Sequence, residues 1–178
     1  MLTTAMKKMS VGLAAVSALA APAIAADPAP QAATAAEGKM VVYDKALGDG
    51  WQNWSWAKTE LSLAVNGSTR TPIGVDAGAW QALYLHHEPF STKGYRRLSM
   101  LLQGAAPGGH KLRVLAISGG KPVNPEGKLV TLPASGWAKV EVPLKTLGAG
   151  DTSIEGFWIQ NATDTDVSRF YVTEVTLD

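Results

Sequence analysis

Short runs in which hydrophobic and polar residues alternate recur from about residue 39 to the end of the chain. Val140, Val142 and Leu144, for example, alternate with Lys139 and Glu141. A period of two is typical of a half-buried strand. Clusters of Gly, Pro, Asn and Asp separate the runs, and no segment shows a convincing helical period over ten or more residues. The predicted strands are 40–44, 59–65, 80–87, 97–103, 111–118, 128–132, 138–144, 154–161 and 169–177.

About nine short strands without an amphipathic helix predict an all-β fold. Antiparallel strands of this length pack as two sheets over one core, and the spacing suits a jelly-roll sandwich. The sequence shows no internal repeat. We therefore expect a single β-sandwich domain over residues 39–178.

The first 38 residues have a different composition from the rest of the chain. Lys7 and Lys8 precede the apolar run 11–21, and Ala23 and Ala25 fit the small-residue rule for a cleavage site. This pattern is typical of a secretory signal peptide, predicted here over residues 1–25. An Ala- and Pro-rich stretch over residues 26–38 predicts a flexible linker. The mature protein is therefore expected outside the cytoplasm, in the periplasm or the medium.

Charge and cysteine content narrow the possible partners. Removal of the signal peptide would reduce 16 basic residues to 14, against 15 acidic ones, and the sequence contains no block of basic residues. Nucleic acids and anionic membranes select for concentrated Lys and Arg, so neither is an expected partner. No later apolar run is long enough to insert into a membrane. Since the chain has no Cys, an exported domain must be held by its core, with or without a metal.

Three of the six tryptophans lie within the segment 51–56. If this segment is extended, Trp54 and Trp56 share one face, and Trp51 lies on the other face or in the preceding turn. Indole rings are costly to leave in water, and three so close together cannot all enter one core by simple alternation. Two interpretations remain open: packing at the end of the core, or stacking on a ligand.

Several short sequence motifs follow one another in a characteristic order along the chain. They are 42–44, 50–56, 83–87, 94–95, 112–114, 140–144, 147–148, 156–163 and 170–172. Together they resemble the galactose-binding-like jelly-roll domains that serve as carbohydrate-binding modules in secreted bacterial proteins. The resemblance covers nearly all of the predicted domain and implies that fold with a carbohydrate ligand. It is less specific for the ligand than for the fold, because such sandwiches carry many functions.

The resemblance also implies a possible structural calcium ion. In such modules an acidic residue follows a Tyr-Val pair in the last strand, but Thr173 occupies that position here and Glu174 comes next. Asp44, at the end of the first predicted strand, is the candidate partner of Glu174. Calcium takes six to eight oxygen ligands, and the alternative is that Asp44 only starts a turn.

A sugar site needs flat aromatic rings and planar polar side chains around them. If Leu112 and Val114 point into the core, Arg113 points outward, and the same logic places Trp158 and Gln160 together on an outer face. The candidate ligand-binding residues are Trp54, Trp56, Trp80, Tyr84, His86, Gln103, Arg113, Trp158 and Gln160.

Metal and catalytic chemistry find little support in the sequence. His86 and His87 are adjacent, so on a strand they point to opposite faces and do not chelate one zinc ion. Ser118 precedes two glycines but lacks the nucleophile-elbow pattern. Paired carboxylates of a glycosidase cannot be assigned from the sequence. We therefore expect a non-enzymatic protein.

The sequence thus predicts a secreted, non-catalytic protein that binds a polysaccharide or oligosaccharide by aromatic stacking and polar hydrogen bonds. Two alternatives stay open. One is a structural or adhesive envelope protein that binds another protein through a flat apolar patch. The other is a small polysaccharide-active enzyme. The oligomeric state and the identity of the glycan are not indicated by the sequence.

Overall fold

The computed structural model describes residues 38–178, which form two antiparallel sheets packed face to face. The first sheet contains β1 (Met40–Asp44), β2 (Ala46–Leu47), β4 (Lys58–Glu60), β5 (Ile73–Ala77), β7 (Arg97–Gln103), β11 (Ala138–Pro143) and β13 (Val167–Leu177). The second contains β3 (Gln52–Asn53), β6 (Ala82–Ser91), β8 (Lys111–Ser118), β9 (Lys121–Pro122), β10 (Lys128–Thr131) and β12 (Ser153–Asn161). A short 3-10 helix, Leu144–Leu147, follows β11. The predicted all-β sandwich is confirmed.

Long central strands organise both sheets. In the first, the order is β11-β7-β13-β1-β2. The long strand β13 also pairs with β5, and β5 pairs in turn with β4. In the second, the order is β10-β8-β12-β6-β3, with β9 as a short partner of β8. All strand pairs are antiparallel. Each sheet therefore has one face toward the core and one outer face.

The core lies between the two sheets and is built by the inward half of each alternating pattern. Leu85, Val114 and Phe157 of the second sheet are fully buried against residues such as Met100 and Phe170 of the first. Burial of large apolar side chains of this kind supplies most of the stabilisation of a cysteine-free domain. The same alternation sends the intervening residues of β6, β8 and β12 outward, and these build the site described below.

Most predicted strands agree with the structure, although the run predicted at 80–87 forms a strand over Ala82–Ser91. One further prediction was wrong, and several strands were missed. The run predicted at 59–65 forms a strand only over Lys58–Glu60, because Ser62 adopts a positive φ of 55° that ends the extended conformation. Ile73–Ala77 was missed, although Ile73, Val75 and Ala77 alternate with Gly74 and Asp76 with the two-residue period of a strand.

The predicted signal peptide (residues 1–25) and all but Gly38 of the predicted linker (residues 26–38) lie outside the described residues. Within residues 38–178, no helix has the length and apolar character needed to cross a membrane.

Candidate functional site

The outer surface of the second sheet carries side chains in register across its central strands. Tyr84 of β6 lies beside Trp158 of β12, which in turn lies beside Leu115 of β8. One step along the strands, Gln160 lies between Ala82 and Arg113. We call this surface, centred on Tyr84 and Trp158, the aromatic face.

Gly156 lies beneath the aromatic face, between His86 and Ile117. A Cβ atom at this position would come 2.2 Å from the Leu85 carbonyl oxygen and 3.0 Å from a ring carbon of Tyr84. No L side chain tolerates such contacts without movement of the strands. Glycine is therefore required for the Tyr84 ring and its strand to approach β12 as they do.

The tryptophan-rich segment is fixed at the edge of this sheet. Gln52 and Asn53 pair with His86 and Leu85 of β6. Beyond the paired residues, the Trp54 backbone N–H donates to the Tyr84 carbonyl over 2.9 Å, and the Tyr84 N–H donates to Ser55 Oγ over 2.9 Å. These two bonds extend the pairing with β6 beyond Asn53. The backbone that carries the two exposed tryptophans is therefore held in place.

The three neighbouring tryptophans divide between core and surface. Trp51 is only 5% exposed and belongs to the core, whereas Trp54 and Trp56 are 53% and 42% exposed. The prediction that Trp54 and Trp56 share a face opposite Trp51 agrees with these exposures. Trp51 therefore packs in the core, and stacking on a ligand stays a prediction for the exposed Trp54 and Trp56.

Trp54 is backed by a second ring. Its indole is stacked on the His86 imidazole with ring centroids 3.5 Å apart and an interplanar angle of 4°. Its Nε1 donates to Gln52 Oε1 over 2.8 Å. His86 is buried on the inner side of the pair, so one flat side of Trp54 is supported while the ring keeps a large exposed area.

Trp56 and Trp80 are held together by one carbonyl group. Trp56 packs edge-on against Trp158 with ring centroids 4.9 Å apart. The Trp80 carbonyl oxygen accepts from Trp56 Nε1 over 3.3 Å and from Gln160 Nε2 over 2.8 Å. Trp80 itself is 49% exposed and has a φ of 59°, a left-handed conformation that is unfavourable for a bulky residue. The two hydrogen bonds help to hold it there.

Tyr84 joins the aromatic rings to a carboxylate. Its ring meets Trp54, His86 and Trp158 edge-on, and its hydroxyl donates to Glu155 Oε1 over 3.3 Å. The same oxygen accepts from the Gly120 backbone N–H. Burial, followed by the charge and the hydrogen bond of Glu155, raises the pKa of Tyr84 well above its ordinary value. The Tyr84 hydroxyl therefore stays protonated at neutral pH and remains a hydrogen-bond donor.

Three buried nitrogen atoms of the aromatic face have no hydrogen-bond partner among residues 38–178. They are Trp158 Nε1, His86 Nδ1 and Arg113 Nε. Buried polar atoms in folded proteins are nearly always paired, and each exception calls for a structural or functional explanation. Two other buried side-chain atoms among the described residues, Trp51 Nε1 and Thr71 Oγ1, also lack partners, so three of the five lie on this face.

The structure sorts the predicted site residues into three groups. Exposed rings are Trp54, Trp56 and Trp80; residues that support them from below or beside are Tyr84, His86, Trp158 and Gln160; Arg113 is a charged neighbour in the same register as Gln160. Tyr84 and His86 are buried beneath the exposed rings, whereas Trp158 and Gln160 are half-buried. Gln160 donates one amide hydrogen to the Trp80 carbonyl oxygen. Direct contact of these residues with a ligand stays a prediction.

Gln103 does not belong to this group, and its prediction was wrong. It lies on β7 of the first sheet, opposite Tyr171 of β13. The two-residue period correctly identified its outward direction but could not tell which of the two sheets it belongs to, because that depends on strand pairing far along the chain.

The residues present do not fit the predicted calcium site. The Glu174 carboxylate accepts from Arg70 Nε over 2.8 Å, and Asp44 is exposed at the end of β1. Residues 38–178 contain no group of three or more His, Asp or Glu side chains placed to hold a metal ion. An ion that takes six to eight oxygens would need such a group or many carbonyls, which Asp44 and Glu174 do not supply.

The adjacent histidines point to opposite faces, as expected. His86 lies under Trp54, whereas the His87 ring packs against Trp51 and Phe90, with ring centroids 5.2 Å from each. The pair is therefore divided between the aromatic face and the rim of the core.

Sequence reasoning missed Gln52 and Glu155. Glu155 lies at an irregularity between Ile154 and Gly156 where the register of β12 against β6 shifts, and nothing in a single sequence marks such a bulge apart from the neighbouring glycine. Gln52 contacts the site only because β3 pairs with β6. Both residues position rings that the sequence had already indicated.

Comparison with known folds places the chain in one class. No family model matches the sequence, and no curated protein matches it. Solved structures do match: the sandwich has the jelly-roll fold of carbohydrate-binding modules, as the resemblance implied.

The matching structures include several of family 29 carbohydrate-binding modules. One is a mutant of the module CBM29-2 complexed with cellulohexaose, with a TM-score of 0.58 and 14% identity, covering 79% of this chain and 89% of that chain. Another mutant, complexed with mannohexaose, has a TM-score of 0.53 and 13% identity, with coverages of 79% and 90%. A further family 29 module has a TM-score of 0.56 and 13% identity, with coverages of 79% and 87%. Identities this low show a shared fold only.

Proposed function

We propose that this protein is a secreted, non-catalytic carbohydrate-binding protein whose aromatic face receives a polysaccharide. The observation that carries the proposal is the set of three exposed indoles, Trp54, Trp56 and Trp80, each fixed by a partner beneath or beside it. The C–H face of a pyranose ring is apolar and flat, so it gains most from an aromatic ring that is already immobile and partly free of water.

The arrangement also suits a polymer better than a single sugar. The exposed rings follow the side of the sheet formed by β3, the segment after it and the turn before β6. A row of rings contacts successive sugar units, and each added unit increases the buried area without a deep pocket. An open pocket of about 580 Å³ on the described surface shares no residue with these rings, since it is lined by residues such as Gly94, Tyr95 and Leu144.

The structural neighbours support this function by analogy. The CBM29-2 modules with the same fold were solved with cellulohexaose and mannohexaose. Folds of this type carry unrelated functions, so the analogy alone is weak. It gains weight because the exposed rings are present on a sheet face of this chain. Secretion rests on the predicted signal peptide at residues 1–25.

Two observations separate the proposal from its alternatives. An adhesive surface for another protein would be a flat apolar patch, whereas the aromatic face contains Gln52, Tyr84, Arg113 and Gln160 among its rings. A polysaccharide-active enzyme needs a carboxylate that is free to transfer a proton or attack a sugar. Glu155, whose carboxylate meets this face at Tyr84, instead accepts hydrogen bonds from Gly120 and Tyr84.

Native affinity electrophoresis of the purified protein through gels that contain soluble polysaccharides tests the proposal. We expect retardation by at least one glycan, and loss of that retardation in Trp54→Ala and Trp80→Ala. Trp137→Ala is the matched control, because Trp137 precedes β11 on the other sheet and packs near Arg70. Failure of every glycan in a broad panel, or equal loss in all three variants, would reject the proposal.

A further inference from the structure

The polar groups of the aromatic face are mostly occupied by one another. Gln52 accepts from Trp54, Gln160 donates to Trp80, and Glu155 accepts from Tyr84 and Gly120. His86 lies beneath Trp54. These bonds leave few strong donors for a ligand, and the largest remaining one is the guanidinium group of Arg113.

Arg113 differs from three of the four other arginines among residues 38–178. Arg70, Arg97 and Arg169 each meet a carboxylate within the ion-pair distance. No ion pair among the described residues involves Arg113. Its Nη1 makes a single long contact of 3.5 Å with the Pro125 carbonyl oxygen, and its buried Nε has no partner within residues 38–178.

The position of Arg113 places this cation beside the aromatic rings. It is the direct cross-strand neighbour of Gln160 on β12 and of Leu129 on β10. Gln160 in turn holds the carbonyl of Trp80. A polymer that crosses from the tryptophans toward β8 would therefore bring its ring substituents to Arg113.

We propose that Arg113 is a carboxylate-receiving subsite, so that the preferred ligand is a polysaccharide that contains uronic acid units. This inference rests on the proposed function and specifies its substrate class. The planar fork of a guanidinium matches a carboxylate better than it matches a hydroxyl, and charge-assisted hydrogen bonds are about twice as strong as neutral ones. A partly desolvated cation without an internal anion gains most from a ligand that supplies one.

Binding to matched charged and neutral polymers tests this inference. The probes are polygalacturonate and alginate, each compared with its carboxyl-reduced form, together with a neutral glucan, a neutral mannan and a sulfated galactan. We expect each polyuronate that binds to do so about tenfold or more tightly than its reduced form. The advantage should shrink as salt is added, because added salt screens exposed charge pairs.

The variant Arg113→Gln should lose this advantage, so that it binds a polyuronate no more tightly than it binds the carboxyl-reduced form. Arg96→Gln removes the same charge from an exposed loop position before β7 and serves as the control. Arg113→Lys should recover only part of the preference, since an ammonium group lacks the fork. A cooperative unfolding transition near that of the native protein verifies that each variant is folded.

The outcomes distinguish the two proposals. Equal binding of polyuronates and their reduced forms, or a preference for neutral glycans, would overturn the uronate inference and leave the carbohydrate-binding function intact. A sulfated galactan that depends on Arg113 as strongly as the polyuronates would show a general anion subsite and reject the carboxylate assignment. Failure of all probes would reject both proposals.

Discussion

The two outer faces of the sandwich have opposite chemistry. On and beside the first sheet, charged side chains meet in ion pairs: Arg70 with Glu174, Arg97 with Glu141 and Asp178, Lys139 with Glu141, and Arg169 with Glu60 and Asp76. The second sheet has none of the ion pairs found among the described residues. It carries exposed indoles and buried nitrogens without partners.

The two faces differ in whether their charged and polar groups have partners within the protein. Exposed ion pairs satisfy both partners and contribute little to stability, so the first face needs nothing further. The second face exposes costly aromatic area and leaves Trp158 Nε1 and Arg113 Nε unpaired. A folded domain that maintains such a face gains stability when a ligand covers it.

The largest expected effect contrasts two tryptophans three residues apart. Trp51→Ala should lower the free energy of unfolding by about 3–5 kcal/mol, because it removes a core ring that lies against Phe90 and Phe157. Trp54→Ala should change it by no more than about 1 kcal/mol and weaken glycan binding instead. Urea unfolding of both variants measures this contrast. Similar destabilisation by both would show that Trp54 is a structural residue.

Gly156 offers a test of how closely the aromatic face depends on its backbone. Gly156→Ala should cost about 1–3 kcal/mol of stability, because the new methyl group would meet the Leu85 carbonyl and the Tyr84 ring. The same denaturant titration measures this loss. Gly109→Ala is the control, since Gly109 also has a positive φ (81°, against 149° at Gly156) but no atom lies within 4 Å of a Cβ there. An equal cost at both positions would refute the packing explanation.

The supporting ring of Trp158 should matter for binding more than for folding. Trp158→Ala removes the edge contact under Trp56 and the neighbour of Tyr84, and is expected to weaken glycan binding by about tenfold or more while unfolding remains cooperative. Isothermal titration with the glycan found by electrophoresis measures the change. Unaltered affinity would mean that the site lies elsewhere on the protein.

The smallest effect belongs to the first sheet. Arg169 donates two hydrogen bonds to Asp76, at 2.9 and 2.6 Å, and thereby lowers the pKa of Asp76 from its ordinary 3.8. A depressed carboxyl pKa gives stability that is present above the unfolded pKa and lost as the pH falls through the folded one. Since both side chains are about one-third exposed, Asp76→Asn should cost no more than about 1 kcal/mol near neutral pH.

The pH dependence of this variant provides the check. The difference between the native protein and Asp76→Asn should shrink below pH 3.8, where Asp76 becomes protonated in the unfolded chain and then in the folded one. Glycan binding should be unchanged, because Asp76 is on the opposite sheet. A binding defect in Asp76→Asn would contradict the assignment of glycan binding to the second sheet alone.

Much of the fold could be predicted because local alternation decides it. The periods of 97–103 and 111–118 gave the bounds of β7 and β8, and the outward direction of Arg113 followed from its buried neighbours Leu112 and Val114. Short strands such as Gln52–Asn53 were missed, because they owe their conformation to pairing with β6 and not to any pattern of their own.

The sequence by itself determined the sandwich class and the inward half of most strands, because side-chain alternation is a local property of an extended chain. The tertiary structure decided that Trp51 is buried while Trp54 and Trp56 are exposed. Only the tertiary structure decided which sheet each outward residue joins. It separated Gln103 from the aromatic face, brought Gln52 and Glu155 to it, and left Arg113 without a carboxylate. Those outcomes depend on pairing between strands distant in sequence, and no local pattern encodes that pairing.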